Sequence, residues 1–188
     1  MTQSELATRV GSILDELRVR YYLTGSFALA AHGHVRASHD VDFVVVLPES
    51  AAVTLCARLE ALGYVDEIAA VEAAQMGGQF NLIHVESGTK VDFWLPVPTP
   101  FGASAMARRM RVLLGGTDLW VASAEDVLLS KLQWHRQSGL ERDWTDCRGL
   151  IRCQERRLDL GYLRGWAEEL RLSADLRRAL AEAGWTET

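Results

Sequence analysis

Two runs with strong β-strand character, YYLTG and VDFVVV, flank a short Ala-rich segment between residues 21 and 46, and they constrain the fold most. The second run begins with two aspartates separated by one residue, Asp40 and Asp42. Side chains two positions apart in a strand point to the same face of the sheet. The pair therefore forms a compact, doubly negative oxygen site, of the kind that Mg²⁺ or Mn²⁺ prefers.

A third carboxylate, Asp92, lies in the middle of another apolar run, VDFW. A carboxylate in such a strand is costly unless it is ion-paired or bound to a metal. The alternative interpretation is that the D-x-D pattern arises by chance and that Asp92 lies on an edge strand.

Hydrophobic periodicity predicts strands and helices along the whole chain. The Pro-rich stretch 96–102 predicts a break between a strand-containing first part and a largely helical second part. Strands are predicted over residues 19–24, 41–47, 79–85, 90–95, 111–114 and 119–122, and helices over residues 5–17, 27–31, 51–62, 123–137, 141–153, 158–170 and 175–182.

Composition narrows the class of protein. A hydrophobic content of 48% is enough for a buried core, and the net charge of −5 argues against broad, non-specific nucleic-acid binding. The N-terminal stretch has helical periodicity without a basic or uninterrupted apolar region, and no run approaches the ~20 apolar residues of a membrane span. We therefore expect a cytoplasmic protein with no membrane partner. The three cysteines show no CxxC spacing, which favours reduced thiols.

A Gly-Ser turn after a strand (Gly25 and Ser26), the D-x-D pair and the separate Asp92 together resemble the nucleotidyltransferase superfamily with its polymerase-beta-like fold. Within it, the pattern is most similar to the abortive-infection toxin group and its bacterial relatives. The resemblance implies an α+β fold, in which a small mixed β-sheet with flanking helices is followed by a C-terminal helical bundle. It further implies a catalytic domain over residues 1–122 and a helical region packed against it over residues 123–188.

The resemblance also implies roles for these residues. Asp40 and Asp42 would hold two Mg²⁺ (or Mn²⁺) ions, and Asp92 would complete the metal site and help to activate the acceptor hydroxyl. Two metal ions can clamp the attacking and leaving oxygens of a phosphoryl transfer. The turn at Gly25 and Ser26 would hold the nucleoside triphosphate, because N–H groups at a helix N-terminus bind phosphate oxygens.

Further matches supply nucleotide-binding candidates. The sequence R-x-S-x-D, ending at Asp40, resembles the approach to the aspartate pair in many members, and it makes Arg36 a candidate phosphate ligand. The segment ASAEDVLLSKLQWHR is similar to a helix that presents a lysine to the triphosphate, which implies that role for Lys131; the alternative is a solvated lysine. The segment RDWTDCRGLI resembles the D-x-x-D helix of the abortive-infection group, with Asp143 and Asp146 at those places, but the position of the two acids favours helix N-terminal residues stabilised by the dipole over catalytic groups.

Two other clusters have alternative interpretations. The histidines at 32, 34 and 39 are candidates for a zinc site or for the lining of a nucleotide pocket, but no HExxH motif is present. Arginines at 148, 152 and 156 recur every fourth residue, which on a helix would place them in one stripe with Trp144. Such a stripe is either a solvated face or a contact surface for an RNA end.

The expected function is therefore metal-dependent transfer of NMP from an NTP such as ATP to a hydroxyl of an acceptor: tRNA or another RNA end, a small molecule or a protein. An antitoxin is a further expected partner. The alternative is a non-catalytic nucleotide-binding or partner-binding module that retains the fold.

Overall fold

The computed structural model describes residues 1–114, 116–154 and 157–185, and the chain forms two compact units. The first unit, Met1–Phe27 with Ala37–Ala122, contains the β-sheet and is called the sheet unit. The second, Ala28–Arg36 with Ser123–Thr188, contains the C-terminal helices and is called the helical unit. The assignment of residues 1–122 and 123–188 to a catalytic domain and a helical region stays a prediction.

In the described residues of the sheet unit, seven strands form one mixed sheet in the order β3-β4-β5-β2-β1-β7-β6. The β2–β5 and β1–β7 pairs are parallel, and the other neighbouring pairs are antiparallel. The strands are β1 (Arg20–Leu23), β2 (Asp40–Val46), β3 (Tyr64–Val65), β4 (Gly78–His84), β5 (Thr89–Leu95), β6 (Met110–Leu114) and β7 (Thr117–Val121).

Helices of the sheet unit form where caps and apolar spacing allow them. In α1, the Thr2 side chain and Glu5 form a capping box, and the apolar stripe of the helix is buried. The helices are α1 (Gln3–Glu16), α3 (Glu49–Leu59), α4 (Glu67–Met76) and α5 (Pro100–Arg108), while the short α2 (Gly25–Ala31) crosses the boundary between the units.

One face of β2 belongs to the core and the other does not. Val41, Phe43 and Val45 are buried, whereas the alternate positions, which include Asp40 and Asp42, are only half-buried. Phe43 lies 5.8 Å from Phe93 between ring centroids, in a stacked arrangement. The alternation of strand side chains therefore directs both aspartates to the face opposite this aromatic core.

The helical unit contains α6 (Ala124–Ser138), α7 (Glu141–Cys153), α8 (Leu160–Glu169) and α9 (Ser173–Glu182). Ser123 is the N-cap of α6, since its hydroxyl accepts a hydrogen bond from the backbone N–H of Asp126. The buried carboxylate of Asp126 also accepts a hydrogen bond of 2.6 Å from the Tyr162 hydroxyl, which ties α6 to α8.

The predicted α+β class, with a mixed sheet, flanking helices and further C-terminal helices, is confirmed. The pattern missed β3, α4 and α5. Helix α5 lies in the predicted Pro-rich break, where the Thr99 side chain accepts from the Gly102 N–H and Pro100 occupies the first turn. Proline there costs nothing, because that N–H has no partner within a helix. No described helix is long and apolar enough to cross a membrane.

Candidate active site

Parallel pairing of two interior strands brings the predicted carboxylates together. The β2–β5 register places Asp42 beside Asp92 and Asp40 beside Lys90. All four side chains belong to alternate positions of their strands, so they lie on the same face of the sheet. Because β5 is paired on both sides, the edge-strand alternative for Asp92 is wrong.

Asp92 is the most buried of the three carboxylates, with an exposed fraction of 5%. Its Oδ2 lies 2.9 Å from the ammonium of Lys90, while its Oδ1 is buried and accepts no hydrogen bond from the described residues. A buried carboxylate oxygen without a partner is costly. An unpartnered oxygen of this kind fits a metal ligand.

Asp42 is fixed from two directions. The Trp94 indole N–H lies 3.4 Å from its Oδ1, and the backbone of Gly25 approaches its Oδ2 so closely that a Cβ added to Gly25 would lie 2.1 Å from that oxygen. Gly25 also has a φ of 57°, in the left-handed region that favours glycine. The glycine is therefore favoured by the backbone conformation and required by the position of Asp42.

The remaining predicted residues of the sheet unit lie at the ends of their elements. Gly25 and Ser26 are the first two residues of α2, and Ser26 is buried. Asp40 is the first residue of β2, where the Ser38 hydroxyl lies 3.4 Å from both its backbone N–H and its backbone carbonyl. Ser38 of the R-x-S-x-D sequence thus contacts the start of the strand that carries the aspartates.

Lys90 is the cation of this site that the sequence interpretation missed. The hydrogen bond with Asp92 and the neighbouring negative charges of Asp92, Asp40 and Asp42 raise its pKa, although burial opposes the shift. It is therefore charged at neutral pH. The signal was present in the alternation K-x-D-x-W over residues 90–94, which places Lys90, Asp92 and Trp94 on one face of a strand.

The three carboxylates do not form a ready-made metal site as they stand. Throughout the described ranges, no three His, Cys, Asp or Glu side chains are grouped closely enough to hold a metal ion. The same finding gives no support to a zinc site of His32, His34 and His39. The side-by-side pair of Asp42 and Asp92, with one unpartnered oxygen, is the part of the site that fits a divalent cation.

The other two nucleotide-binding candidates, Arg36 and Lys131, lie in the helical unit. Arg36 Nε lies 3.0 Å from Asp146 Oδ1, and Lys131 Nζ lies 2.7 Å from Asp143 Oδ1 and 3.0 Å from Asp146 Oδ2. With side-chain exposures of 11% for Lys131 and 1% for Asp146, this is a buried ion network. The solvated interpretation of Lys131 is wrong.

The two aspartates of α7 differ in their positions. Asp143 lies in the first turn, as the alternative interpretation predicted, whereas Asp146 lies in the second turn and is not an N-terminal acid. His34 Nε2 lies 3.5 Å from Asp146 Oδ1, and a Cβ added to Gly149 would lie 2.2 Å from the His34 ring. A glycine inside α7 thus leaves room for the histidine beside the network.

The arginine stripe takes a different form from the predicted one. Trp144 is buried, with its indole N–H donating to Glu182 at 2.9 Å, so it is not part of an exposed stripe. Arg148 and Arg152 contact Glu182 through its carboxylate and its carbonyl respectively. Arg156 lies outside the described residues.

Comparison with solved structures shows a shared fold at low sequence identity. The antibiotic-resistance factor ANT(2'')-Ia in complex with adenylyl-2''-tobramycin is 16% identical over 95% of this chain and 98% of that chain, with a TM-score of 0.58. A nucleotidyltransferase-like protein from Paracoccidioides brasiliensis is 16% identical over 95% of this chain and 92% of its own, with a TM-score of 0.56. The lincosamide antibiotic adenylyltransferase LnuA, bound to lincomycin, is 18% identical over 80% of this chain and 96% of its own, with a TM-score of 0.53.

No curated protein matches the sequence significantly. A family model described as the nucleotidyl transferase AbiEii toxin of the Type IV toxin–antitoxin system matches residues 12–184. This match covers nearly the whole chain and confirms the predicted superfamily and its abortive-infection branch. The chain belongs to the AbiEii nucleotidyltransferase toxin family.

Proposed function

We propose that this nucleotidyltransferase moves NMP from an NTP to an acceptor hydroxyl with the help of divalent cations held at Asp40, Asp42 and Asp92. One observation carries the proposal: the Asp92 carboxylate is buried beside Asp42 on a neighbouring parallel strand, and its Oδ1 has no hydrogen-bond donor among the described residues. Burial of this oxygen without a hydrogen-bond donor costs free energy, which a bound cation would offset.

The three carboxylates have different proposed roles. Asp42 and Asp92 supply adjacent oxygens from two strands, and Asp40 lies on the same face at the start of β2. Bound Mg²⁺ or Mn²⁺ supplies charge neutralisation for the attacking and leaving oxygens of the transfer. Asp92 accepts the proton of the acceptor hydroxyl, and its fixed position on an interior strand orients that hydroxyl toward the α-phosphate.

The triphosphate is held by donors on the chain. Gly25 and Ser26 present backbone N–H groups at the start of α2, where the glycine leaves room beside Asp42. Arg36 and Lys131 carry the positive charge that an NTP needs, and each is held in a defined position by Asp146. We therefore assign these four residues to nucleotide binding, with ATP as the first NTP to test.

The family match and the fold neighbours support different candidate acceptors. The family description favours a toxin that acts in a toxin–antitoxin pair, for which tRNA is the acceptor to test first and an antitoxin is the expected partner. Among the fold neighbours, LnuA is a lincosamide antibiotic adenylyltransferase and ANT(2'')-Ia was solved with adenylyl-2''-tobramycin, and the acidic sheet unit of this chain would suit a cationic aminoglycoside as acceptor. The arginine-rich second part of the chain favours the RNA acceptor.

The test is incubation of the protein with each α-labelled NTP, Mg²⁺, and separate pools of tRNA, protein and aminoglycosides. We expect label in the tRNA pool, loss of transfer in Asp42→Ala, and toxicity on expression that Asp42→Ala relieves. The matched control is Asp118→Ala, which removes an exposed aspartate of the same unit at the other side of the sheet.

Two outcomes would contradict the proposal. If no pool is labelled, and Asp42→Ala binds NTP as well as the wild-type protein does without a metal requirement, the chain is a nucleotide-binding module that retains the fold. Label in the aminoglycoside pool alone would keep nucleotidyl transfer but overturn the RNA acceptor.

A further inference from the structure

Lys90 is a charged residue at the carboxylate face whose contact the proposed reaction does not use. Its Nζ lies 2.9 Å from Asp92 Oδ2, and its strand position is opposite Asp40. The ammonium thus contacts one of the carboxylates that the proposed function assigns to divalent cations.

The electrostatics of the face require a cation there. Asp42 and Asp92 lie side by side on two hydrogen-bonded strands, and neighbouring like charges destabilise one another. Trp94 offers Asp42 a neutral indole N–H, whereas Lys90 offers Asp92 a full positive charge. In the protein without metal, Lys90 is therefore the counter-ion of the buried carboxylate.

The two partners differ in how freely they can separate. The side chain of Lys90 is 41% exposed, and that of Asp92 is 7% exposed. A lysine ammonium on a flexible four-carbon stem can turn into water without disturbing the core. Asp92 is held among buried neighbours on an interior strand, so its oxygens stay where they are when the lysine leaves.

We infer that Lys90 is a built-in counter-cation that occupies the carboxylate site in the metal-free protein and that an incoming divalent cation displaces from Asp92. This inference rests on the proposed function, because it assumes that Asp42 and Asp92 bind the metal. Lys90 acts through Asp92 and is a positioning residue. It stabilises the metal-free site, and it competes with the divalent cation for Asp92.

A direct test measures binding of Mn²⁺ alone to the full chain, by electron paramagnetic resonance, with no nucleotide present. We expect Lys90→Met to bind Mn²⁺ about two- to fivefold more tightly than the wild type, since that is the range supplied by a partly exposed ion pair. In EDTA, Lys90→Met should melt at a lower temperature than the wild type, and Mn²⁺ should raise its melting temperature by a larger amount.

Two variants make the result specific. Arg58→Met removes one positive charge from the same unit at an exposed pair with Glu16, and it should leave Mn²⁺ affinity within twofold of the wild type. Asp92→Asn should lose Mn²⁺ binding whether or not Lys90 competes.

The outcomes separate the inference from the proposed function. The role of Lys90 would be overturned if Lys90→Met bound Mn²⁺ as well as or more weakly than the wild type while Asp92→Asn lost binding. The proposed metal site would then still hold. An equal gain in Arg58→Met and Lys90→Met would also overturn it, since the effect would then be one of net charge. Absence of Mn²⁺ binding in the wild type and in Lys90→Met alike would overturn both.

Discussion

At the scale of single residues, Gly25 shows how one position serves both the backbone and the site. Its φ of 57° disfavours any other residue, and its missing side chain leaves the space that Asp42 Oδ2 occupies. The Gly-Ser turn of the sequence is therefore explained by contact with a carboxylate, in addition to any contact with phosphate.

Replacing Gly25 by Ala should damage the site more than the fold. Positive φ alone costs about 1 kcal/mol of unfolding free energy for alanine, and the new Cβ must push Asp42 aside. We expect a loss of transfer on the order of a hundredfold, the usual consequence of a misplacement of about 1 Å in an active site. Urea unfolding and the label-transfer assay measure the two effects.

Gly88→Ala is the matched control, because Gly88 belongs to the same unit, has a φ of 65° and has open space where a Cβ would lie. Gly88→Ala should lower the free energy of unfolding by a similar amount but keep nucleotidyl-transfer activity. Equal activity in the two variants would contradict the role assigned to the Gly25–Asp42 contact.

At the scale of elements, the sequence predicted most strands and helices but not how the strands pair. Alternation placed Asp40 and Asp42 on one face of a strand, and Ser123 correctly predicted the start of α6. The parallel pairing of β2 with β5, which puts Asp92 beside Asp42, joins segments about fifty residues apart. Local periodicity carries no information on such a pairing, so only the resemblance suggested that the three carboxylates meet.

The missed elements and contacts have physical reasons. Helix α4 is mostly small and apolar on all sides, so it shows no amphipathic period, and α5 begins with a proline that looked like a break. The network around Asp146 was missed because its members come from three places in the chain: the segment before β2, α6 and α7. Each residue alone resembled an ordinary surface charge.

Breaking that network should unfold the helical unit more easily. Asp146→Asn leaves the half-buried Lys131 and the neighbouring Arg36 with fewer negative partners, and removal of the buried member of such an ion network costs about 3 kcal/mol. Denaturant unfolding followed by circular dichroism checks this. Glu141→Gln on the same helix removes only an exposed contact with Arg148 and is the control.

An unfolding free energy of Asp146→Asn equal to that of Glu141→Gln would contradict this account of the network. A double variant, Asp146→Asn with Lys131→Met, should recover part of the lost stability, because it no longer leaves a buried ammonium with too few partners.

At the scale of the whole molecule, charge distribution and unit composition point to the same chemistry. The chain has a net charge of −5, and its acidic sheet unit carries the three carboxylates. An NTP is itself an anion, so its approach to this face needs cations. The proposed divalent ions would supply them at the carboxylates of the sheet unit.

The most direct test of nucleotidyl transfer compares two labels on the same NTP. With Mg²⁺ and the acceptor pool that is labelled first, we expect the α-phosphate label to enter the acceptor and the γ-phosphate label to leave as pyrophosphate, with both events lost in Asp42→Ala. Transfer of the γ-label to the acceptor, or α-label transfer that is undiminished in Asp42→Ala, would contradict the assignment of this carboxylate site to nucleotidyl transfer.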